Sequence, residues 1–226
     1  MKKQWVIPPK QNAEFVAAME NILALYALEP DEDMPLVCMD EQPVQLLSDR
    51  IEPIGVKKGS PAKEDYQYER CGTCNIFMFV APHLGICHID VTDRRTKTDY
   101  AHQLDYLVNE LFPNAKKIRL VQDNLNTHTF GALYEAFPPE KARSIAEKLE
   151  FHYTPKHGSW LNIAEIELSA LTLQCLDRRI SDKETLRREV LAWSTNRNEM
   201  SKTVSWHFTN EDARGKLKSL YPVIGI

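Results

Sequence analysis

Along the first third of the chain the spacing of apolar residues changes from helical to strand-like. Phe15, Met19, Ile22, Leu23 and Tyr26 recur at helical spacing and predict an amphipathic entry helix over residues 12 to 28. The acidic run from Glu29 to Asp33 reads as a linker. From Pro35 the period drops to two, so Leu36, Cys38 and Asp40 share one strand face. Further strands are expected around Val44 to Leu47, over 75–80 and from Gly85 to Val91, giving an antiparallel meander. Tyr100, Leu104, Leu107, Val108 and Leu111 return to helical spacing, and Lys117 to Asp123 is again strand-like. A strand, a crossover helix and another strand imply parallel pairing. That can bring Asp123 beside Asp40, although the two are 83 positions apart.

Beyond Asp123 the pattern gives two short helices, with Phe130, Leu133, Tyr134 and Phe137 on the first and Ala142, Ile145, Ala146 and Leu149 on the second. Pro138-Pro139 stops one and opens the other. Glu150 to Thr154 is a short strand, and Ser159 is the expected cap of an apolar helix reaching about Cys175. Ser181 with Glu184, and Thr209 with Asp212, are capping-box signatures for two more helices, one through Trp193 and one ending near Leu220.

Composition narrows the class. The 226 residues suit one α/β domain with appendages. The expected division is an entry helix and linker over 1–33, a core over 34–176 and a helical extension of the same domain over 177–226. No apolar stretch approaches a membrane span, and Met1-Lys-Lys-Gln-Trp runs into Pro8-Pro9 without a segment of signal-peptide length, so a cytoplasmic protein is expected. Five cysteines at irregular positions do not form a disulfide framework. Cys71-Gly-Thr-Cys74, followed by His83 and His88, raises a zinc site, but the strand-like run 75–80 leaves little loop to fold the histidines back onto the thiolates. A net charge of −4 is unusual for a chain that holds DNA by itself, since basic residues supply phosphate contacts. Grip on DNA is therefore local, or lies in another module.

The chemistry-bearing positions are Asp40 and Asp123, each ending an apolar strand, and Glu165, in the first turn of the helix after Ser159. Three carboxylates at the ends of rigid elements suit hard divalent cations such as Mg²⁺ and Mn²⁺. A pair of such ions serves phosphodiester chemistry. An aspartate after a strand is most often a turn former; two such strands and the motif contexts reverse that balance. Glu167 competes with Glu165, but positions i and i+2 face different sides of a helix. Glu41, next to Asp40, is expected in solvent or behind the acids. Asn124 is expected to hold the loop after Asp123; His128 is either a helix-start residue without a role or one that orients a scissile phosphate or the carboxylate. Lys156, His157, Trp160 and Asn162 precede Glu165, where a cation, a ring and an amide could meet a DNA end, with Trp160 favoured as plain core. The pairs Lys57-Lys58, Arg94-Arg95, Arg178-Arg179 and Arg187-Arg188 read as solvated faces, except that Lys57 to Tyr68 mixes cations with Tyr66 and Tyr68 and suggests a DNA-contacting flap.

The order β-β-β-α-β-α-β-α, with acids at the first strand, the fourth strand and the final helix, resembles the ribonuclease-H-like nucleases and integrases. Asp123-Asn-Leu-Asn-Thr-His128 resembles the DNxxxH element of mariner-related transposases. Pro155-Lys-His-Gly-Ser-Trp-Leu-Asn-Ile-Ala-Glu165 resembles their SPDLNPIE segment. The likeness is closest to the bacterial insertion-sequence-630 family of DDE transposases and runs from about Lys3 to Pro222. Departures are the interval of 42 positions between the last two acids and Lys156-His157-Gly158 in place of an aspartate-containing turn.

The resemblance implies an α/β, ribonuclease-H-like fold with a mixed five-stranded sheet flanked by helices. It implies a magnesium- or manganese-dependent endonuclease that performs DNA transposition and integration with two ions held by Asp40, Asp123 and Glu165. Implied partners are transposon ends and target DNA, cut at a TA dinucleotide, with a second copy of the chain as a further candidate. No helix-turn-helix region fits before Pro35, so an upstream region, in the same or a split protein, is expected to read the element's ends. A stand-alone ribonuclease-H-like nuclease and an inactive DNA-binding or assembly remnant are the rival expectations.

Overall fold

Five strands form one mixed sheet in the order β3-β2-β1-β4-β5, where β1 is Leu36–Asp49, β2 Tyr68–Ala81, β3 Ile86–Thr92, β4 Ile118–Gln122 and β5 Leu149–Tyr153. The computed structural model describes residues 10–223. The segment Met1 to Pro9, on which the absence of a signal peptide was read, and the last three residues of the expected C-terminal extension lie outside them. β1, β2 and β3 pair antiparallel as the expected meander, while β1, β4 and β5 run parallel. Val44 to Leu47 is not a separate strand; it continues β1. Past Cys38, β1 pairs only with β2, which leaves Pro43 a side where its missing N–H is not needed. At Cys71 the β1–β2 register slips by one residue, and Gly72 takes φ 115 there, a bulge that only glycine accommodates easily.

Helices cover both faces. On one lie α1 (Ala13–Tyr26), α5 (Ile163–Leu171), α6 (Lys183–Glu199) and α7 (Asn210–Lys216), packed on Leu36, Cys38, Ile76, Met78, Val80 and Val121. On the other lie α2 (Lys97–Tyr106), α3 (Gly131–Ala136) and α4 (Pro139–Glu147), packed on Val37, Met39, Phe77, Phe79, Ile118 and Leu120. Burial on both faces explains why the central strands open or close as unbroken apolar runs. Of the CxxC pair, Cys71 is exposed and Cys74 is buried in the first core. His88 is stacked on Tyr106 at 4.4 Å.

Capping residues set the helix starts. Asn12 accepts from the Phe15 amide at 3.0 Å, Thr96 with Asp99 and Thr209 with Asp212 form full capping boxes, and Pro139 opens α4 at its first turn. Two expected caps move. Ser159 begins a single 3₁₀ turn, and the cap of α5 is Asn162. Ser181 yields to its neighbour Asp182, which accepts from the Thr185 amide at 2.8 Å, and α6 runs on past Trp193 to Glu199. The two ends of the described chain meet: the Asn12 amide donates to Leu220 O at 2.9 Å, and Glu20 receives Arg214 (2.8 Å) and the Tyr221 hydroxyl (2.8 Å). Among the described residues no helix is long and apolar enough to cross a membrane.

Candidate active site

Where the pairing of β1 with β4 stops, a cleft of about 900 Å³ opens, lined by Asp40, Asp123 and Glu165. Asp123 follows the last residue of β4 as expected, but Asp40 lies within β1 and not at its end, because β1 runs on to Asp49 paired with β2. The strands bring the first two together by register. Leu36 is opposite Arg119 and Cys38 opposite Val121, so the ladder directs the chain toward both aspartates, which share its offset of 83, and stops two residues short of them. Asp40 lies on the strand face shared with Leu36 and Cys38, which is the face that α5 covers. Glu165 occupies the first turn of α5, where a carboxylate also meets the positive end of the helix dipole. The entry helix contributes Asn12, Glu14, Phe15 and Ala18 to the cleft wall, a role its amphipathic pattern did not suggest.

Asn162 ties the third acid to the first. Its Oδ1 accepts from the Ala164 amide at 3.1 Å as the helix cap, while its Nδ2 donates to Met39 O at 2.9 Å and lies 3.5 Å from Asp40 Oδ2. Its amide is thus committed within the protein, and the residue is 1% exposed. Trp160 is half-buried in the core, edge-on to Phe208 at 5.9 Å. Glu167 turns away from the cleft to a two-point ion pair with Arg197 at 2.9 and 3.2 Å. Helix geometry thus separates the two glutamates as the sequence spacing implied.

Of the two positions expected for Glu41, the structure takes the one behind the acids. Its side chain is only 2% exposed and lies 2.9 Å from Nε2 of His128, whose Nδ1 lies 2.6 Å from Asp123 Oδ1. These are close ion pairs, off the line of ideal hydrogen bonds. Arg95 approaches Glu41 at 3.6 Å, so one cation of a pair read as solvated reaches the site. The ring of His128 packs on Tyr100 at 4.7 Å, and its carbonyl accepts from the Tyr153 hydroxyl at 2.9 Å. Burial works against charge on this ring, but the two carboxylates outweigh it and raise its pKa to about 9. Asp40 is pushed up to about 7, first by burial and then by the negative charges of Asp123, Glu41 and Glu165, against a lowering bond from the Glu41 amide. No sequence signal marked the Glu41–His128 contact, because its partners are 87 positions apart.

Asn124, Lys156 and His157 are exposed at the cleft. Pro155 to Gly158 is a turn closed by the Gly158 amide on Pro155 O at 2.8 Å. His157 sits in it at φ 65, a position that glycine usually fills. A Cβ on Gly158 would meet Pro155 Cγ at 2.5 Å, so the turn cannot relax by substitution there. Left-handed backbone costs a non-glycine residue about 1–2 kcal/mol, partly offset by glycine's larger unfolded-state entropy. His157→Gly is therefore expected to raise the melting temperature by about 1–3 °C; a lower value in thermal denaturation would mean that the imidazole holds the turn. The suspected flap forms part of the exposed connection between β1 and β2, with short bridges Ile54–Lys63 and Lys57–Ser60. Arg178, Arg179, Arg187 and Arg188 are held in ion pairs with Glu189, Asp49, Glu184 and Glu189.

Residues 35–187, which span the sheet and all three acids, match the family described as DDE superfamily endonuclease. The chain belongs to that family. This DDE endonuclease is also similar to solved structures of mariner transposase. The Mos1 mariner paired-end complex with Mn has TM-score 0.62 and 16% identity, over 93% of this chain and 63% of that one. The Mos1 strand transfer complex has TM-score 0.64 and 15% identity, over 100% and 67%. The Mos1 paired-end complex with Mg has TM-score 0.62 and 16% identity, over 99% and 67%. The fold is therefore ribonuclease-H-like, and the chain spans about 63% of the length of the first of these relatives. No curated protein matches the sequence of this DDE endonuclease.

The donor set suits a hard divalent cation. All three candidate ligands are carboxylates, Glu165 Oε2 is buried without a hydrogen-bond partner, and ionised Asp40 is disfavoured first by burial and then by neighbouring negative charge that a cation would offset. As they stand, no three acid, histidine or cysteine side chains among the described residues are close enough to close around one ion.

Proposed function

We propose that this endonuclease is the catalytic part of an insertion-sequence-630 transposase, which cuts DNA strands at the ends of a mobile element and joins the freed 3′ ends to a TA target. The observation that carries this reading is the convergence of Asp40, Asp123 and Glu165, from three separate elements, on one open cleft. The three acids would hold Mg²⁺ or Mn²⁺, two ions in all. Such ions, when bound, activate the attacking oxygen and stabilise the leaving one. Asp40 and Asp123 would hold them from the strand side and Glu165 from the first turn of α5, whose cap Asn162 is tied to the backbone beside Asp40. Lys156, His157 and Asn124 at the rim would position the strand backbone, leaving chemistry to placement and electrostatics.

Residues 34–176 are proposed as the catalytic core, 1–33 as entry helix and linker, and 177–226 as an extension that braces the core. DNA as partner is supported by the similar structures, which are transposase assemblies with transposon ends. An upstream helix-turn-helix region, a second copy of the chain and a cytoplasmic location complete the proposal. The acidic balance suits a catalytic part that borrows its DNA grip from elsewhere.

Strand nicking tests the reading: with Mn²⁺ the chain should cut duplex DNA carrying an element end and leave an RNA–DNA hybrid intact. Cutting of the hybrid alone would favour a stand-alone ribonuclease, and DNA binding without any cutting would favour an inactive remnant. In binding assays the chain alone is expected to hold element-end and random duplexes with similar, weak, salt-sensitive affinity. Strong preference for one sequence that persists in salt would place a recognition element within these residues.

A further inference from the structure

We infer that Glu41 and His128 are positioning residues that set the spacing of Asp40 and Asp123 where the backbone no longer does; the inference rests on the proposed function of those acids. The parallel ladder between β1 and β4 stops at Cys38 and Val121, two residues short of both aspartates. Beyond that point no strand pairing between β1 and β4 holds the acids at a fixed distance. The gap is spanned by side chains: Glu41 on β1, the ring of His128, and Asp123 after β4, with contacts of 2.9 and 2.6 Å.

Strand alternation sends Asp40 and Glu41 to opposite faces of the sheet. Fixing Glu41 therefore fixes the backbone that carries Asp40 without occupying its carboxylate. His128 is locked in turn by the face of Tyr100 and by the Tyr153 hydroxyl on its carbonyl. Both ring nitrogens face carboxylate oxygens, and the Glu41 and His128 side chains are 2% and 1% exposed, so neither is placed to meet a DNA strand directly. Arg95, at 3.6 Å from Glu41, closes the end of the chain of contacts. Groups that stand behind metal ligands in this way typically change metal affinity or activity by about 10- to 100-fold when removed.

The test uses the full chain and Mn²⁺ alone, with free Mn²⁺ followed by electron paramagnetic resonance in the absence of DNA, alongside DNA nicking. Glu41→Met keeps volume and removes the acceptor; His128→Phe keeps the ring on Tyr100 and removes both nitrogens. Each is expected to weaken Mn²⁺ binding by roughly 10-fold or more, with excess Mn²⁺ recovering part of the nicking rate. The double variant should bind no more weakly than the weaker single variant, as for two parts of one tie. Glu41→Gln, which retains an oxygen facing His128, should fall between Glu41→Met and the wild type. If an apolar variant does not fold, Glu41→Gln and His128→Gln decide by the same readout. Wild-type Mn²⁺ affinity in the folded variants overturns the inference, as does a double variant whose loss is the sum of the two. Asp40→Asn separates the two failures: if it binds Mn²⁺ and nicks DNA like the wild type, the proposed site itself is wrong, whatever Glu41 does.

Discussion

Asp40→Asn, Asp123→Asn and Glu165→Gln should each lower metal-dependent DNA nicking by about a thousandfold or more while the protein stays folded. Each change keeps side-chain volume and removes one charged oxygen donor at the cleft. A bound divalent cation supplies several kcal/mol of transition-state stabilisation, and losing about 4 kcal/mol of it corresponds to roughly 10³ in rate. Glu167→Gln is the contrast. It leaves Arg197 facing a neutral amide in a half-buried ion pair, so its effect should fall on stability, with a lower melting temperature and nicking retained within a few-fold. Rates measured at saturating Mn²⁺, with circular dichroism to confirm folding, check both halves. An inactive Glu167→Gln beside an active Glu165→Gln would reverse the assignment of the third acid.

The second large effect is on stability, and its sign follows from two raised pKa values. Asp40 keeps its proton up to about 7 in the folded state, against 3.8 for an unperturbed aspartate. Between those values the unfolded chain has released a proton that the folded one still holds, so stability falls as pH rises. His128 acts in the same direction in a higher window: folded at about 9 against 6.5, it stabilises fully below 6.5 and loses that contribution as pH rises towards 9. The metal-free protein should therefore lose stability steadily from about pH 4 to pH 9, with the Asp40 part on the order of 2–4 kcal/mol.

A divalent cation counters the Asp40 part. The melting temperature should rise with Mg²⁺ or Mn²⁺ much more at pH 8 than at pH 5, by an amount equivalent to about 2.7 kcal/mol at roughly 100 times the dissociation constant. Asp40→Asn should flatten the metal-free decline between pH 4 and 7, erase most of the metal-induced rise and leave the metal-free protein no less stable at neutral pH. Equal metal-induced shifts in wild type and Asp40→Asn would locate the binding elsewhere.

What could be read from sequence, and what could not, divides by the range of the interactions. The period-two run from Leu36 put Asp40 on the correct strand face, and the strand, crossover helix and strand order implied the parallel pairing that brings β4 beside β1. The two-residue step from Glu165 to Glu167 separated them by helix geometry alone. Helix caps were misplaced where neighbours compete: Ser181 and Asp182 both cap well, and one 3₁₀ turn passed the role from Ser159 to Asn162. Val44 to Leu47 read as a strand of its own, because sequence does not reveal that β1 runs on alongside β2 after β4 has stopped. Glu41 was half legible: a place behind the acids was one of its two expected positions, but only the folded chain shows that this side is closed by a histidine from beyond β4.

The meeting of the two ends of the described residues bears on how this protein comes to be folded. Arg214 and Tyr221 reach Glu20 across 194 and 201 positions, and closing so long a loop costs entropy that few local contacts repay early. The strands and α5 can gather the acids from residues 36 to 171 and already hold α1 through the Tyr26 hydroxyl, which donates to Leu161 O at 2.5 Å, whereas the contacts of Asn12 and Glu20 wait for the segment from Thr209 to Tyr221. During synthesis from the N-terminus, the acids exist before the cleft that confines them is complete. The last contacts on the wall that α1 forms are therefore the ones that close the longest loops of the described chain.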